Sequence, residues 1–225
     1  MTIRSFVLRQ GRMTPGQERA FTELWPKYGI DLQEGDVINA STVFGDDRDL
    51  VIEIGFGNGE TLVEMASAEP EKGFIGIEVH RPGVGHALLK IEQAGIENLR
   101  LICHDAVEVL RDYVVESSLS RVQVYFPDPW PKARHHKRRI IQQPFTDLIY
   151  ARLRDGGELH CATDWENYAE WMRDVFVADE KWVNLGGEDG FAPRPSWRPL
   201  TKFEQRGINK GHGVWDLRYG KTLNN

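Results

Sequence analysis

The chain has 225 residues, 40% hydrophobic and 10% aromatic, which suits one α/β domain with a full core and excludes wholesale disorder. No apolar run approaches the roughly 20 residues of a spanning helix, and Met1 to Arg9 lacks a signal-peptide core, so a cytoplasmic protein is expected. The net charge of −6 argues mildly against a nucleic-acid partner, yet the basic residues are bunched.

Residues 1 to about 45 show no sustained period and contain Gly, Pro and the cations Arg4, Arg9, Arg12 and Arg19. They are expected to form an N-terminal extension that packs on, or reaches from, a domain spanning 46–225, flexible and in contact with RNA. From Leu50 the pattern becomes regular. Leu50–Ile54 is an apolar strand, followed by Gly55-Phe-Gly-Asn-Gly59 and a helical stretch from Glu60 to Glu69. Gly73–Val79 is a second strand, and Val84, Leu88 and Ile91 mark a helix face that Gly95 stops. Leu99–Cys103 is a third strand, Ala106–Tyr113 a short helix, and Val122–Phe126 a fourth strand.

Ile141, Phe145, Leu148, Ile149 and Leu153 give the next helix face, ended by Asp155-Gly-Gly157. Glu158–Ala162 is a fifth strand, Tyr168, Trp171, Met172 and Val175 mark a helix, and Lys181–Leu185 is a weaker strand. Trp215, Leu217 and Tyr219 alternate with Val214, Asp216 and Arg218, the period of a half-buried strand. Strands alternating with helices predict a Rossmann-like, mostly parallel seven-stranded sheet with helices on both faces; the last strand follows a strand directly and should pair antiparallel. Cys103 and Cys161 form no CxxC pair, so neither a disulfide nor a metal centre is expected.

Glycines 55, 57 and 59 follow a strand and open a helix, which lets a ligand approach backbone N–H groups. The spacing is GxGxG, not the GxGxxG of dinucleotide sites, with Glu60 where the last glycine would stand. Glu53 would repel a pyrophosphate but suits an ammonium or sulfonium group. Glu78 ends the second strand, where an acid can accept from both ribose hydroxyls. Asp105 follows the third strand and could receive an adenine amine. Three acids in this order beside the loop fit S-adenosylmethionine better than a nicotinamide dinucleotide; helix capping is the alternative reading of such acids.

The fourth strand runs into Phe126-Pro-Asp-Pro-Trp-Pro-Lys132 and then Ala133-Arg-His-His-Lys-Arg-Arg139. The prolines restrict their neighbours and present Asp128 at the strand's carboxyl end on a stiff backbone. Lys132, Arg134, Lys137, Arg138 and Arg139 lie within eight residues, so chemistry on a polyanion is expected beside them. A further basic stretch holds Arg194, Arg198, Lys202, Arg206 and Lys210.

From about Phe6 onward the chain resembles the bacterial tRNA (guanine-N7)-methyltransferases. The resemblance is carried by Glu53–Gly59, Gly76-Ile-Glu-Val-His80, Phe126–Lys132, Thr163-Asp-Trp165 and Thr201-Lys-Phe-Glu-Gln-Arg-Gly207. It implies a class I methyltransferase fold and methyl transfer from S-adenosylmethionine to N7 of a guanine in the tRNA variable loop. Carried over, Glu53, Gly55, Gly57, Gly59, Glu78, Val79, Asp105 and Ala106 hold the cofactor and Asp128 is catalytic. Lys132, Asp164, Thr201, Lys202, Phe203 and Glu204 contact substrate, and Arg134, His135, His136, Lys137, Arg138 and Arg139 bind tRNA. No membrane or metal is implied, and the working unit is a monomer with a homodimer as the alternative.

Several of these residues have plainer readings. Trp130 would either stack on a splayed base or pack its loop against the sheet. Asp164 would otherwise cap a helix, and Glu204 would otherwise belong to a polar loop. A methyltransferase acting on an exocyclic base amine is the nearest alternative, but it would usually show an Asn or Asp followed by two prolines. A silent RNA-binding scaffold on the same fold is the other.

Overall fold

The computed structural model describes residues 11–201, 204–205, 209, 211 and 213–222. The strands are β1 (Leu50–Ile54), β2 (Gly73–Ile77), β3 (Leu99–Ile102), β4 (Leu119–Tyr125), β5 (Leu153–Thr163), β6 (Trp182–Asn184) and β7 (Trp215–Lys221). They form one sheet in the order β3-β2-β1-β4-β5-β7-β6. β1 to β5 pair in parallel, whereas β7 runs antiparallel to both β5 and β6. The strand order reverses beside β1, so the carboxyl ends of β1 and β4 flank the crevice where open α/β sheets bind ligands.

Helices α1 (Pro15–Glu23), α2 (Trp25–Tyr28) and α3 (Ala40–Phe44) precede the sheet. The crossovers are α4 (Glu60–Ala68), α5 (Arg81–Ala94), α6 (Ala106–Asp112), α7 (Gln143–Arg152) and α8 (Glu166–Val177). β1 is buried along its whole length because helices cover both faces of the sheet. Leu50, Ile52, Ile54, Ile75, Ile77, Val122 and Val124 form one core layer, and Val51, Phe74, Leu99 and Leu101 pack on α4 and α5 in the other.

Residues 11–45 are built into this body. Thr14 and Gln17 form a capping box, and Pro15 presets the first turn of α1. The Gln17 side chain donates to the Pro82 carbonyl at 2.9 Å, and Ala20, Tyr28 and Ile38 are buried. The N–H of Ile30 donates to the Leu101 carbonyl and that of Ile38 to the Tyr113 carbonyl. Helices this short leave too few turns to write a period into the sequence.

The start of β5 and the burial of β7 depart from the sequence reading. β5 begins at Leu153, directly after α7, so Asp155, Gly156 and Gly157 lie inside a strand instead of ending a helix. A register irregularity against Leu119–Arg121 and a φ of 73° at Gly156 accommodate the bend. In β7 both alternating sets are covered: Asp216 is as buried as Leu217, because the segment carrying Trp197 and Arg198 lies over the polar side.

Candidate active site

The Gly-rich loop leaves β1 and enters α4 with Gly55, Gly57 and Gly59 all at positive φ. At Gly59 a side chain is also barred by space, since a Cβ would stand 2.5 Å from that of Ala87. At Gly57 a Cβ would meet nothing within 4 Å, so the loop is open on the side a ligand would approach. Gly83 of α5 backs this loop: a Cβ there would stand 2.3 Å from the Gly57 carbonyl oxygen.

Glu78, just past β2, accepts from the N–H groups of Val79 (2.7 Å), His80 (3.0 Å) and Gly57 (3.1 Å). The carboxylate is therefore fixed against the loop before any ligand arrives. Asp105 caps α6, its Oδ1 accepting from Val107 N–H at 2.8 Å and Glu108 N–H at 3.4 Å. A capping role thus occupies one of its two oxygens.

Glu53 is 4% exposed, and its Oε2 is buried without a partner among the described residues. Burial pushes its carboxyl up to about 8; the nearby Arg121 opposes this and the charge of Glu78 reinforces it. Burial therefore favours the protonated form of Glu53, where its place in the sequence suggested a carboxylate.

Two adjoining cavities sit at this end of the sheet. One, of about 250 Å³, is lined by Gly55, Glu78, Val79, Asp105, Ala106 and Asp128, with Tyr125, Phe126 and Ile140 completing its wall. The other, of about 370 Å³, is lined by Glu53, Gly55, Gly57, Gly59, Tyr125, Phe126, Arg198 and Thr201. They share Gly55, Tyr125 and Phe126, and the first alone brings Gly55, the second and third acids and Asp128 together.

Asp128 is exposed on a loop framed by two non-glycine residues in the left-handed region, Phe126 (φ 50°) and Trp130 (φ 47°). Each such residue costs on the order of 1–3 kcal/mol, and such strain clusters at functional sites. Trp130 carries the Arg138 guanidinium over its face at 4.9 Å and meets the His135 ring edge-on. Both of these partners belong to the basic segment that follows the loop.

The basic segment Ala133–Arg138 is a 3-10 turn with Arg134 and Lys137 exposed, and Lys132 is exposed just before it. His135 and His136 are half-buried, and His135 is pulled below its ordinary value, first by desolvation and then by Arg134, Arg138, Lys132 and Lys137. Arg139 departs from the expected phosphate contact. It is 1% exposed, donates to the Pro129 carbonyl (2.9 Å) and to Asn167 (2.7 Å), and lies over the Tyr168 and Trp171 rings. Its Nε bond to the Pro129 carbonyl ties it to the Asp128 loop.

Asp164 is exposed immediately after β5, with Trp165 half-open beside it. Glu204 departs from the expected guanine contact: at 3% exposure, both oxygens accept from Arg198, at 2.6 and 2.8 Å. Lys202 and Phe203 lie outside the described residues, as do Arg4, Arg9, Arg206 and Lys210. Sequence reasoning passed over Tyr125, His160 and Asp216, which are buried and bonded in series, and over Gly83. Among the described residues no three His, Cys, Asp or Glu side chains group as metal ligands.

Residues 47–217 match the family described as "Putative methyltransferase". A tRNA (guanine-N(7)-)-methyltransferase of Alcanivorax borkumensis is 56% identical over 97% of this chain and 91% of its own length. The enzyme of that name from Halorhodospira halophila is 56% identical over 96% and 94%, and that from Salmonella typhimurium 54% over 98% and 92%. Among solved structures, the 16S rRNA methyltransferase KamB aligns with a TM-score of 0.60 at 14% identity, over 87% of this chain and 98% of its own. An rRNA methylase from Streptococcus thermophilus aligns with a TM-score of 0.52 at 18% identity, over 79% and 89%. These two likenesses concern the fold.

Proposed function

Because the chain belongs to the tRNA (guanine-N(7)-)-methyltransferases, we propose that it transfers a methyl group from S-adenosylmethionine to N7 of a guanine in the tRNA variable loop. The observation that carries the reading is the single cavity onto which Gly55 of the Gly-rich loop, Glu78, Asp105 and Asp128 open. No described helix is long and apolar enough to cross a membrane.

The residues present fit this cofactor. Gly57 leaves open space where a side chain would stand, Glu78 is preset as an acceptor, and Glu53 offers a buried oxygen lacking a partner. Glu53, Gly55, Gly57, Gly59, Glu78, Val79, Asp105 and Ala106 would hold it. S-adenosylmethionine, when bound, supplies an electrophilic methyl on a sulfonium.

Guanine N7 carries a lone pair and no proton, so attack needs no general base. Positive charge grows on the purine as the N7–carbon bond forms, and Asp128 at the cavity mouth would offset it. The same carboxylate would accept from the N1–H and N2–H donors of the guanine edge. Holding the base against the methyl supplies much of the acceleration. Lys132, Asp164 and Thr201 would contact the substrate nucleotide, and Arg134, Lys137, Arg138 and the two histidines would meet tRNA phosphates.

The test is methyl transfer from labelled S-adenosylmethionine to unmodified tRNA, followed by mass-spectrometric mapping of the product. N7-methylguanine in the variable loop is the expected result. A label on an exocyclic amine, or none at all, would overturn the reading.

A further inference from the structure

The sheet face that carries Glu53 also carries Tyr125, His160 and Asp216, and with Arg198 and Glu204 from outside the strands they form a series of buried polar groups that the proposed chemistry leaves unused. Tyr125 Oη bonds His160 Nδ1 at 2.8 Å, and His160 Nε2 meets Asp216 Oδ1 at 2.7 Å. Arg198 then spans two carboxylates. Its Nε and Nη2 donate to Asp216, both at 2.8 Å, while Nη1 and Nη2 donate to Glu204 at 2.8 and 2.6 Å. None of His160, Asp216, Arg198 and Glu204 is more than 3% exposed.

The direction of the chain is set by chemistry. Burial holds the His160 imidazole below its ordinary value despite Asp216, which favours the neutral ring. Asp216, held low by His160 and Arg198 against the opposing effect of burial, can only accept. His160 then donates from Nε2, leaving Nδ1 to accept from the Tyr125 hydroxyl. Arg198 is raised by the two carboxylates that bracket it.

Taking three charges out of water costs several kcal/mol per ion, and apolar residues of like volume often stabilise as well or better. What this arrangement adds is geometry. A guanidinium fork fixes both partners in direction as well as distance. One end of the series is Tyr125, which lines both cavities and precedes the left-handed Phe126. The other is Glu204, whose Oε2 accepts from Thr201 N–H at 3.3 Å and whose own N–H donates to Thr201 Oγ1 at 3.0 Å. Thr201 lines the second cavity, and the Arg198 guanidinium lies 5.8 Å from both the Tyr125 and the Phe126 rings.

We propose that Arg198 is a positioning residue: by clamping Glu204 to Asp216 it holds the Thr201 loop against the Phe126 shoulder of the Asp128 loop, so that the acceptor base meets a preformed pocket. This rests on the methyltransferase reading of the site. Glu204 acts through Arg198 and not by touching the base.

The test compares Arg198→Lys, which keeps the charge and loses the fork, with Glu204→Gln and the double variant. Each single change should lower kcat at saturating tRNA and S-adenosylmethionine by tenfold or more, with calorimetric cofactor affinity within threefold of the native protein. The double variant should be no worse than the poorer single one, because both break the same clamp. Amide exchange at Thr201, Glu204 and Gln205 should quicken while that of β1 and β2 stays unchanged. Native turnover in Arg198→Lys, together with native exchange at Thr201, would overturn the clamp. Additive losses would overturn it too, since Glu204 would then be acting on the base independently. A native enzyme that labels no tRNA would defeat the methyltransferase reading alone, and the exchange measurement would still decide the clamp.

Discussion

The backbone N–H of Phe126 donates to the Ala162 carbonyl at 2.8 Å. Beyond this rung β4 leads to Asp128 and β5 to Asp164, so the two exposed acids leave the sheet from neighbouring strands. A base lying over the carboxyl ends of β4 and β5 would pass between them, and their contributions can be separated by substitution.

Asp128→Asn keeps size and hydrogen-bonding capacity and removes the charge. Turnover should fall by roughly 100-fold or more if preorganised charge dominates. Calorimetry should find S-adenosylmethionine binding nearly unchanged. Since N7 has no proton to lose, the native reaction should show no solvent isotope effect from proton transfer. Near-native turnover in the variant would remove Asp128 from the chemistry.

Glu53 makes stability depend on pH. Its carboxyl moves from 4.5 in the unfolded chain to about 8 in the fold, so between those values the folded chain retains a proton that the unfolded chain has released. The stability associated with Glu53 is therefore fully present below 4.5 and lost as pH rises through about 8. Glu53→Gln, which cannot ionise, should gain in urea midpoint relative to the native protein as pH is raised from 5 to 9. Binding of S-adenosylmethionine, whose cationic groups favour the carboxylate, should also release a proton near pH 7. Calorimetry in buffers of different ionisation enthalpy reads this; a native protein that releases no proton on binding would contradict the assignment.

The basic segment should divide by exposure. Reversing the charges of Arg134 and Lys137 should raise the tRNA KM and flatten the salt dependence of binding, with cofactor affinity unaffected. Arg139→Lys should instead lower the melting temperature, because its bonds to Pro129 and Asn167 need the guanidinium fork. An unchanged salt slope in the first variant would place tRNA elsewhere.

Gly83→Ala should weaken S-adenosylmethionine binding tenfold or more although residue 83 lies on α5, behind the loop. The added methyl cannot share space with the Gly57 carbonyl, so the loop must move. Native affinity in a folded Gly83→Ala protein would show that the loop yields without cost.

Much of this was legible from sequence because the relevant signals are local. A short apolar run, alternating glycines and acids at strand ends are each written in a few adjacent residues. β1 to β4 and their crossovers follow from such signals, and so does the antiparallel β7. The rest depends on partners distant in sequence. His160 and Asp216 are 56 residues apart, Tyr125 and His160 are 35 apart, and neither spacing marks a motif. Arg139 ends a basic run and looks like its neighbours until Asn167 and Pro129 turn it inward. Glu53 looks like a free carboxylate because sequence carries no measure of burial.

The position of β7 has a consequence for how the molecule is made. It is the last strand of the sheet to leave the ribosome, yet it sits between β5 and β6, and its Asp216 anchors Arg198. At roughly 5–20 residues per second, the Gly-rich loop and Asp128 are synthesised seconds before the strand that secures the Thr201 loop. A nascent chain stalled short of Trp215 would hold the groups assigned to the cofactor and to the methyl transfer, but β5 would present an open edge and the clamp would lack its anchor. Competence for the acceptor would then arrive only with the closing of the sheet.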